Sequence, residues 1–216
     1  MQAEFWHNCW QQQRIGFHQS EIHPLLPVLC SQLSWDKSGA IFAPLSGKSL
    51  DLWWLSQHGK VIGAELSELA CQQFYQQQGQ DYMVQSQHKF KRFSHPAVDI
   101  WQGDYFALAP EQLGQVGLIY DRAALIALPR QMRIDYVQQL KQLCPGSVCM
   151  VLLSLEYPQH ELAGPPFSVT EQEVRQLFDF AASIELVAVR NLTGRPFAQR
   201  QFNLSQLLEK AFVIYW

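Results

Sequence analysis

The chain has 216 residues, 48% of them hydrophobic, and its 16 Lys and Arg against 19 Asp and Glu give a formal net charge of -3. A chain of this length can bury one sizeable core, so we expect a single domain over residues 1–216. A slightly acidic chain has no basic field to attract a phosphate backbone, and its apolar runs fall short of the roughly 20 residues of a membrane-spanning helix. The composition therefore argues against nucleic acid and membranes as partners.

The spacing of cysteines and histidines shows no metal or disulfide pattern. The five cysteines are scattered without a C-x-x-C pair, and the seven histidines contain no H-x-x-x-H pair. We therefore expect free thiols and no metal site. The first residues lack the layout of a secretory signal, so we expect a cytoplasmic location.

Residues 1–35 are rich in aromatic side chains, and Phe5, Cys9 and Trp10 fall at helical spacing before Gly16. This pattern predicts an N-terminal helical lid over residues 1–35.

Strands and helices alternate from residue 40 onward. Short apolar runs bounded by glycine, proline or polar residues predict buried strands, and longer stretches at helical spacing predict helices. The predicted strands are 40–45, 60–65, 98–101, 116–120, 147–155 and 183–189. The predicted helices are 49–59, 67–77, 123–143 with an interruption at Pro129, and 171–180. Such alternation predicts an α/β, doubly wound, mostly parallel sheet whose ligands bind at the carboxyl ends of the strands.

Some local features carry separate expectations. Residues 79–96 are polar and glutamine-rich and should be irregular, and residues 207–215 resemble a helix-to-strand segment more than a plain strand. Gly59 should be the left-handed cap of the first helix after the lid. Thr170 and Glu173 should form a capping box. Residues 164–167, with two prolines, should be an extended loop.

The turn after the first predicted strand and the acid ending the second have the spacing of a nucleoside-binding site. Glu65 follows Leu45 by about 20 residues, the separation at which a carboxylate meets a ribose diol. A carboxylate accepts hydrogen bonds from two hydroxyls and repels a ribose phosphate. On this pattern alone, a cofactor contact and a solvated acid at a strand end are about equally good interpretations of Glu65.

Two other nucleotide-binding interpretations fail. Residues 46–49, SGKS, imitate the end of a phosphate-binding P-loop, but Phe42 stands where that motif needs a glycine. A dinucleotide fingerprint needs three glycines, and residues 46–57 contain only Gly47. An NTPase is rejected, and a nicotinamide- or flavin-dependent oxidoreductase is disfavoured.

Residues 44–52, PLSGKSLDL, resemble the PLCGKSLDL run of the thiopurine S-methyltransferases, with Ser46 in place of the cysteine. Other similar blocks lie in the same order along the chain: FW at 5–6 with Trp10, GFH at 16–18, GAELS at 63–67, DRAALIALP at 121–129, LEY at 155–157 and GPPF at 164–167. Together they cover most of residues 1–170, whereas the segment after Phe197 matches weakly.

The resemblance implies a Rossmann-like fold of the class I methyltransferase type, with S-adenosylmethionine as cofactor and S-adenosylhomocysteine as product. Implied cofactor contacts are Trp10, Leu45, Glu65 and Arg122, with Trp6, Asp104 and Tyr105 nearby. Phe17 and Arg122 would border the acceptor, a small thiol or selenol such as a thiopurine, and the protein would be a monomer. The isolated His18 stays outside the predicted catalytic set.

The sulfonium is already a good leaving group, so the protein mainly has to align a nucleophile with the methyl group. We expect Arg122 to be the catalytic residue, holding an ionised sulfur, selenium or tellurium acceptor without losing its own charge. The alternative is a catalytically weak cofactor-binding module of the same fold.

Overall fold

The computed structural model describes residues 3–216 and contains one large sheet and a small two-stranded hairpin. The helices are α1 Ala3–Gln11, α2 Leu26–Gln32, α3 Asp51–Leu55, α4 Glu68–Gln76, α5 Pro110–Leu113, α6 Arg130–Leu143 and α7 Glu171–Leu177. The strands are β1 Ala40–Ala43, β2 Val61–Glu65, β3 Met83–Gln87, β4 Phe90–Ser94, β5 Val98–Gln102, β6 Val116–Arg122, β7 Cys149–Glu156, β8 Ser183–Asn191, β9 Pro196–Phe197, β10 Arg200–Gln201 and β11 Leu208–Tyr215.

The large sheet has nine strands in the order β3-β4-β5-β2-β1-β6-β7-β11-β8. The five central strands, β5 to β7, pair in parallel, and only β4 and β11 run opposite to the other strands of this sheet. The strand order reverses between β1 and β6, which is the topological switch point where ligands of such sheets bind. The predicted mostly parallel, doubly wound α/β fold is confirmed.

Both faces of the sheet are covered, because successive residues of its central strands point to opposite sides. In β1, Phe42 packs into a core with side chains of α5, α6 and α7. Its neighbours Ile41 and Ala43 pack into a second core with α2, α3 and α4. The fully buried run of β7 fits a central strand covered on both faces.

The N-terminal segment is partly helical. Helices α1 and α2 lie within the predicted lid, and residues 12–25 between them are not helical. Met1 and Gln2, the first residues of that prediction, lie outside the described residues. Within residues 3–216, no helix has the length and apolarity needed to cross a membrane.

Residues 79–96 were expected to be irregular, and this prediction was wrong. They contain the antiparallel hairpin β3–β4, which extends the sheet beyond β5. The pattern was hidden because β3 is exposed along its whole length, and because Phe90 and Phe93 of β4 enter the two different cores. His88, with φ of 54°, makes the turn.

The predicted ends of two helices were also wrong. Helix α3 ends at Leu55 rather than at residue 59, and Gly59 is not left-handed. Helix α7 ends at Leu177 rather than at residue 180. Thr170 does cap α7 by accepting a hydrogen bond from the Glu173 amide at 3.2 Å, but the Glu173 carboxylate binds Arg133 instead of completing the capping box.

Residues 207–215 were expected to be a helix-to-strand segment, but β11 is a strand over its whole length. It lies between β7 and β8 and is antiparallel to both. Its strand pattern was obscured by Glu209 and Lys210, whose charges pair inside the fold with Arg190 and Glu156.

Gly117 in β6 allows the chain before β1 to pass close to the sheet. A Cβ at this position would collide with the backbone carbonyl of Asp36, which has no room to move away like a flexible side chain. We expect Gly117→Ala to lower the free energy of unfolding by about 1–3 kcal/mol, the usual cost of overpacking. Chemical denaturation measures this change.

Gly146→Ala is the matched control, because a Cβ at Gly146 meets nothing within 4 Å. Equal stability of the two variants would show that the close approach at Gly117 does not constrain the fold.

Candidate active site

A cavity of about 740 Å³ lies beyond the carboxyl ends of β1, β2 and β6. Its wall combines four parts of the chain that are distant in sequence. They are the N-terminal segment, the loops that follow these three strands and β5, the proline loop at residues 164–166, and the segment 197–202.

The loop after β1 turns sharply beneath Trp10. Leu45 and Gly47 have positive φ angles of 46° and 56°. A Cβ at Gly47 would lie 3.4 Å from the Trp10 ring, so glycine suits both the backbone conformation and the close approach. Ser46, which replaces the family's cysteine, has a buried hydroxyl oxygen with no hydrogen-bond partner among the described residues.

Glu65 ties this loop to the next helix. One carboxylate oxygen accepts from the Gly47 amide at 2.8 Å, and the other accepts from the Ser67 amide at 2.7 Å. Burial raises the pKa of Glu65 to about 6, although hydrogen bonds from backbone amides oppose that rise. The carboxylate is thus mostly ionised at neutral pH and retains room for a further donor.

Three aromatic rings of the N-terminal segment form one cluster over the cavity. Phe17 packs edge to face against Trp6 and Trp10, with ring centroids 5.7 and 5.6 Å away. Trp10 is buried, and the Lys48 ammonium lies 6.0 Å from its ring. Lys48 also donates to the Gln73 side chain at 2.9 Å, and burial lowers the Lys48 pKa.

Arg122 ends β6 and lies at the cavity wall with its side chain 8% exposed. Its Nε atom is 2.8 Å from Asp51 Oδ2, and its Nη2 atom donates to Ser49 Oγ at 3.0 Å. Both partners come from the loop and helix after β1. Nε and Nη1 are both buried without a hydrogen-bond partner among residues 3–216, so Nε meets Asp51 as an ion pair and Nη1 is left as a donor for a ligand.

Asp121 fixes the turn that follows Arg122. Its carboxylate accepts hydrogen bonds from the amides of Ala124 and Leu125 at 3.1 and 3.2 Å, and from the Tyr136 hydroxyl at 2.7 Å. Burial raises the pKa of Asp121 to about 6. Ala123 has φ of 67° in this turn. The sequence resemblance highlighted the Asp-Arg pair. In the structure, Asp121 holds the turn, whereas Arg122 lies at the cavity wall.

Asp104 and Tyr105 also line the cavity, and each uses one side-chain oxygen in a hydrogen bond within the protein. The exposed Asp104 accepts from the Phe106 amide at 3.0 Å and caps a short 3-10 helix. Tyr105 is buried, and its hydroxyl donates to the Tyr136 carbonyl at 3.1 Å. All seven predicted cofactor positions and Phe17 therefore lie around one cavity.

Sequence reasoning missed Asp51, although it lies inside the PLSGKSLDL run. An acid at the start of a helix is commonly a solvated first-turn residue, so the sequence gave no sign of its 1% exposure. His18 was left out of the predicted set, yet it also lines the cavity. Burial, followed by the charges of Lys48 and Arg122, lowers the pKa of His18 to about 4.

The weakly matching segment after Phe197 reaches the cavity too. Phe197, Arg200 and Phe202 line its wall. Arg200 donates to the Pro165 carbonyl at 3.2 Å, and the Gln199 amide donates to the Gly16 carbonyl at 3.0 Å. This segment thus joins the proline loop to the N-terminal segment.

Two solved structures with the same architecture are methyltransferases. An S-adenosylmethionine-dependent methyltransferase from Anabaena variabilis has a TM-score of 0.68 at 15% identity, covering 98% of this chain and 93% of that one. A 1,6-didemethyltoxoflavin-N1-methyltransferase from Burkholderia thailandensis, solved with S-adenosylhomocysteine, has a TM-score of 0.60 at 14% identity, covering 98% and 86%. The fold is that of the class I methyltransferases.

Sequence comparison identifies the family. The model of the thiopurine S-methyltransferase family matches residues 1–215. A thiopurine S-methyltransferase of Marinobacter nauticus is 39% identical over 216 residues, which are 99% of each chain. One of Acinetobacter baylyi is 45% identical over 192 residues, covering 87% of this chain and 88% of that one.

The protein is an S-adenosylmethionine-dependent methyltransferase. It belongs to the thiopurine S-methyltransferase family, as its motifs indicated.

The two hydrogen bonds of Glu65 to backbone amides predict a stability effect. In Glu65→Gln, the side-chain amide nitrogen takes the place of one acceptor and faces a backbone donor. We expect the free energy of unfolding to fall by about 1–3 kcal/mol, the cost of an unsatisfied buried polar group. Chemical denaturation checks this value.

Glu68→Gln is the control, because Glu68 is 42% exposed and only pairs with Lys91 at the surface. Its stability should change by no more than about 0.5 kcal/mol. A Glu65→Gln protein as stable as this control would show that Glu65 does not hold the loop after β1 to the start of α4.

Proposed function

We propose that this enzyme transfers a methyl group to the sulfur, selenium or tellurium of a small acceptor, with an aromatic thiol such as a thiopurine as the representative substrate. The observation that carries the proposal is Arg122, a fixed guanidinium with an unpartnered nitrogen at the wall of a cavity roofed by aromatic rings. A planar cation of this kind suits a soft anion held against aromatic surfaces.

The cofactor half of the site is proposed at the carboxyl ends of β1 and β2. Glu65 would accept hydrogen bonds from the ribose hydroxyls, while Leu45 and Trp10 would pack against the cofactor. Trp6, Asp104 and Tyr105 would complete this wall, and Arg122 would lie between cofactor and acceptor. The absence of a Cβ at Gly47 and the lone pairs left on the Glu65 carboxylate support this placement. S-adenosylmethionine supplies an activated methyl group on a sulfonium that leaves without acid catalysis.

The acceptor half is proposed between Phe17 and Arg122. Phe17 would stack on an aromatic acceptor, and Arg122 would hold the ionised nucleophile in line with the methyl group. Burial is the largest cause of the lowered pKa of the neighbouring His18, and the charges of Lys48 and Arg122 lower it further. Burial disfavours either charge, whereas these two cations favour an anion in the same place, which supports selection of a thiolate.

The chemical step needs little from the protein beyond this alignment. The acceptor's lone pair forms the new bond to the methyl carbon, and the electron pair of the broken bond stays on the cofactor sulfur. An acceptor bound as its anion has already left its proton in solution. Arg122 therefore lowers the free energy of the ionised acceptor without exchanging a proton itself.

We also propose the environment and the domain organisation of the enzyme. All five cysteines are buried free thiols, which supports a reducing, cytoplasmic environment. The nine-stranded sheet contains strands from residue 40 to residue 215, which supports one methyltransferase domain over the whole chain. The monomeric state implied by the family resemblance stays a prediction.

Arg122 gives the test of the reaction. We expect the wild type to release S-adenosylhomocysteine with an aromatic thiol, and Arg122→Ala to lower kcat/KM by about 100-fold, as removal of one donor to a reacting anion does. Arg175→Ala, which removes an exposed arginine of α7, should have wild-type activity. Mass spectrometry of the methylated thiol measures both.

Unchanged turnover in Arg122→Ala would remove Arg122 from the mechanism. Saturable cofactor binding without turnover on any thiol, selenol or tellurium acceptor would leave only the cofactor-binding module.

The pKa of Glu65 predicts the pH dependence of cofactor binding. Because the ribose hydroxyls donate to the ionised carboxylate, the affinity for S-adenosylhomocysteine should be nearly constant above about pH 7, where Glu65 is mostly ionised. It should be about twofold lower near pH 6 and should approach a roughly tenfold fall per pH unit below about pH 5, as Glu65 takes up a proton. Calorimetric titration across this range measures the affinity.

The Glu65→Gln variant should bind more weakly and lose the part of this pH dependence that Glu65 causes. Asp121 titrates near the same pH but does not line the cavity, so any contribution from Asp121 would be present in both proteins. pH profiles of the same shape in the wild type and in Glu65→Gln would contradict the ribose contact.

A further inference from the structure

The Asp51 carboxylate receives three groups from two other parts of the chain, although the side chain is almost fully buried. Oδ2 lies 2.8 Å from Arg122 Nε and accepts from the Tyr120 hydroxyl at 2.9 Å. Oδ1 accepts from the His23 backbone amide at 2.7 Å, and the Asp51 amide donates to Ser49 Oγ at 3.3 Å. Each oxygen is thus held in place, and so is the guanidinium that Asp51 contacts.

His23 is in turn fixed from the far side of the fold. Its ring is fully buried, and Nδ1 accepts from the Leu25 amide at 3.3 Å, which leaves the proton on Nε2. Nε2 donates to Glu209 Oε1 of β11 at 3.0 Å. The other Glu209 oxygen binds Arg190 of β8 at 2.8 Å.

The Glu209 carboxylate is stable as an anion in this position. Burial alone would raise its pKa, but the hydrogen bond from His23 and the charge and hydrogen bond of Arg190 outweigh that effect and hold the pKa below its usual value. A charged acceptor binds the His23 ring more strongly than a neutral one would. The residues from Arg190 and Glu209 through His23 and Asp51 to Arg122 are therefore joined in sequence by hydrogen bonds and ion pairs.

We propose that Glu209 and His23 are positioning residues that act through Asp51 to set the orientation of Arg122 at the cavity. This inference rests on the proposed function, because the role of Arg122 in holding the acceptor is itself part of that proposal. Glu209 and His23 do not line the cavity themselves, so any effect they have on the acceptor is transmitted.

The arrangement affects the acceptor more than the cofactor. Arg122 uses Nε and Nη2 for Asp51 and Ser49, and the direction of the remaining nitrogen is set by those two contacts. A misplacement of about 1 Å costs a reaction of this kind about 100-fold in rate. The proposed ribose contact, Glu65, shares no hydrogen bond with this group.

A double-mutant cycle tests the transmission. We expect Asp51→Asn to lower kcat/KM for an aromatic thiol by about 10- to 100-fold, and Glu209→Gln by about 2- to 30-fold. The affinity for S-adenosylhomocysteine should change less than about twofold, within the usual additivity error for separate sites. In the Arg122→Ala background, each substitution should lower kcat/KM by less than about twofold, because its target is gone.

Glu185→Gln is the matched control, since Glu185 lies exposed on β8, the strand that carries Arg190. It should match the wild type in every assay. Equal losses from Asp51→Asn with and without Arg122, or an equal loss of cofactor affinity, would overturn the proposal. If Asp51→Asn does not fold, Tyr120→Phe replaces it, because it removes one restraint on Oδ2 and keeps the charge.

A second measurement is independent of turnover. The Arg122 Nε proton should give a slowly exchanging ¹⁵N NMR signal, assigned by its loss in Arg122→Lys. We expect the signal to disappear in Asp51→Asn, and to shift or exchange faster in Glu209→Gln but not in Glu185→Gln. A signal that Asp51→Asn and Glu209→Gln leave unchanged would overturn the relay even in an active enzyme. A wild type that methylates no acceptor would refute the proposed function, and the NMR signal would still decide the relay.

Discussion

Two buried carboxylates, Glu65 and Asp51, determine the shape of the loop that leaves β1. Neither is solvated by bulk water, so each needs donors from the protein, and a buried charge without them would cost several kcal/mol. Glu65 takes backbone amides from the loop and from the start of α4. Asp51 takes a guanidinium, a hydroxyl and a backbone amide. The contacts of these two acids hold the ends of β1, β2 and β6 and the N-terminal segment together around the cavity.

The structural features that depend on short-range sequence patterns could be predicted. The central strands are apolar runs such as residues 147–155, and the caps at Ser67 and Thr170 follow from side chains that bond their own helix. The sequence was also sufficient to locate the candidate site, because the motif blocks lie at the carboxyl ends of the strands. What it could not give were pairings between distant residues. The hairpin β3–β4 has no single face of buried apolar residues, because β3 is exposed and the two phenylalanines of β4 point into different cores. The charges of β11 have partners in other strands.

The same limit explains which site residues were missed. Trp10, Glu65 and Arg122 could be selected from local blocks, whereas the contacts of Asp51 join residues 28 and 69 positions apart. His18 was passed over because its environment depends on Lys48 and Arg122, which are distant in sequence. The segment around Arg200, where the resemblance is weakest, shares the cavity wall with the most recognisable blocks.

The position of β11 has a consequence for the order in which the molecule assembles. Strand β8 pairs in the sheet with β11, and β11 comes later in the chain than both of the strands it separates. Until β11 enters, β8 has no place in the large sheet, and His23 has no Glu209 to bind. A nascent chain can therefore shape the β1 and β2 loops long before it can anchor His23. The hydrogen bonds of Glu65 that shape the β1 and β2 loops lie within residues 47–67, whereas the hydrogen bond to the His23 ring needs residue 209.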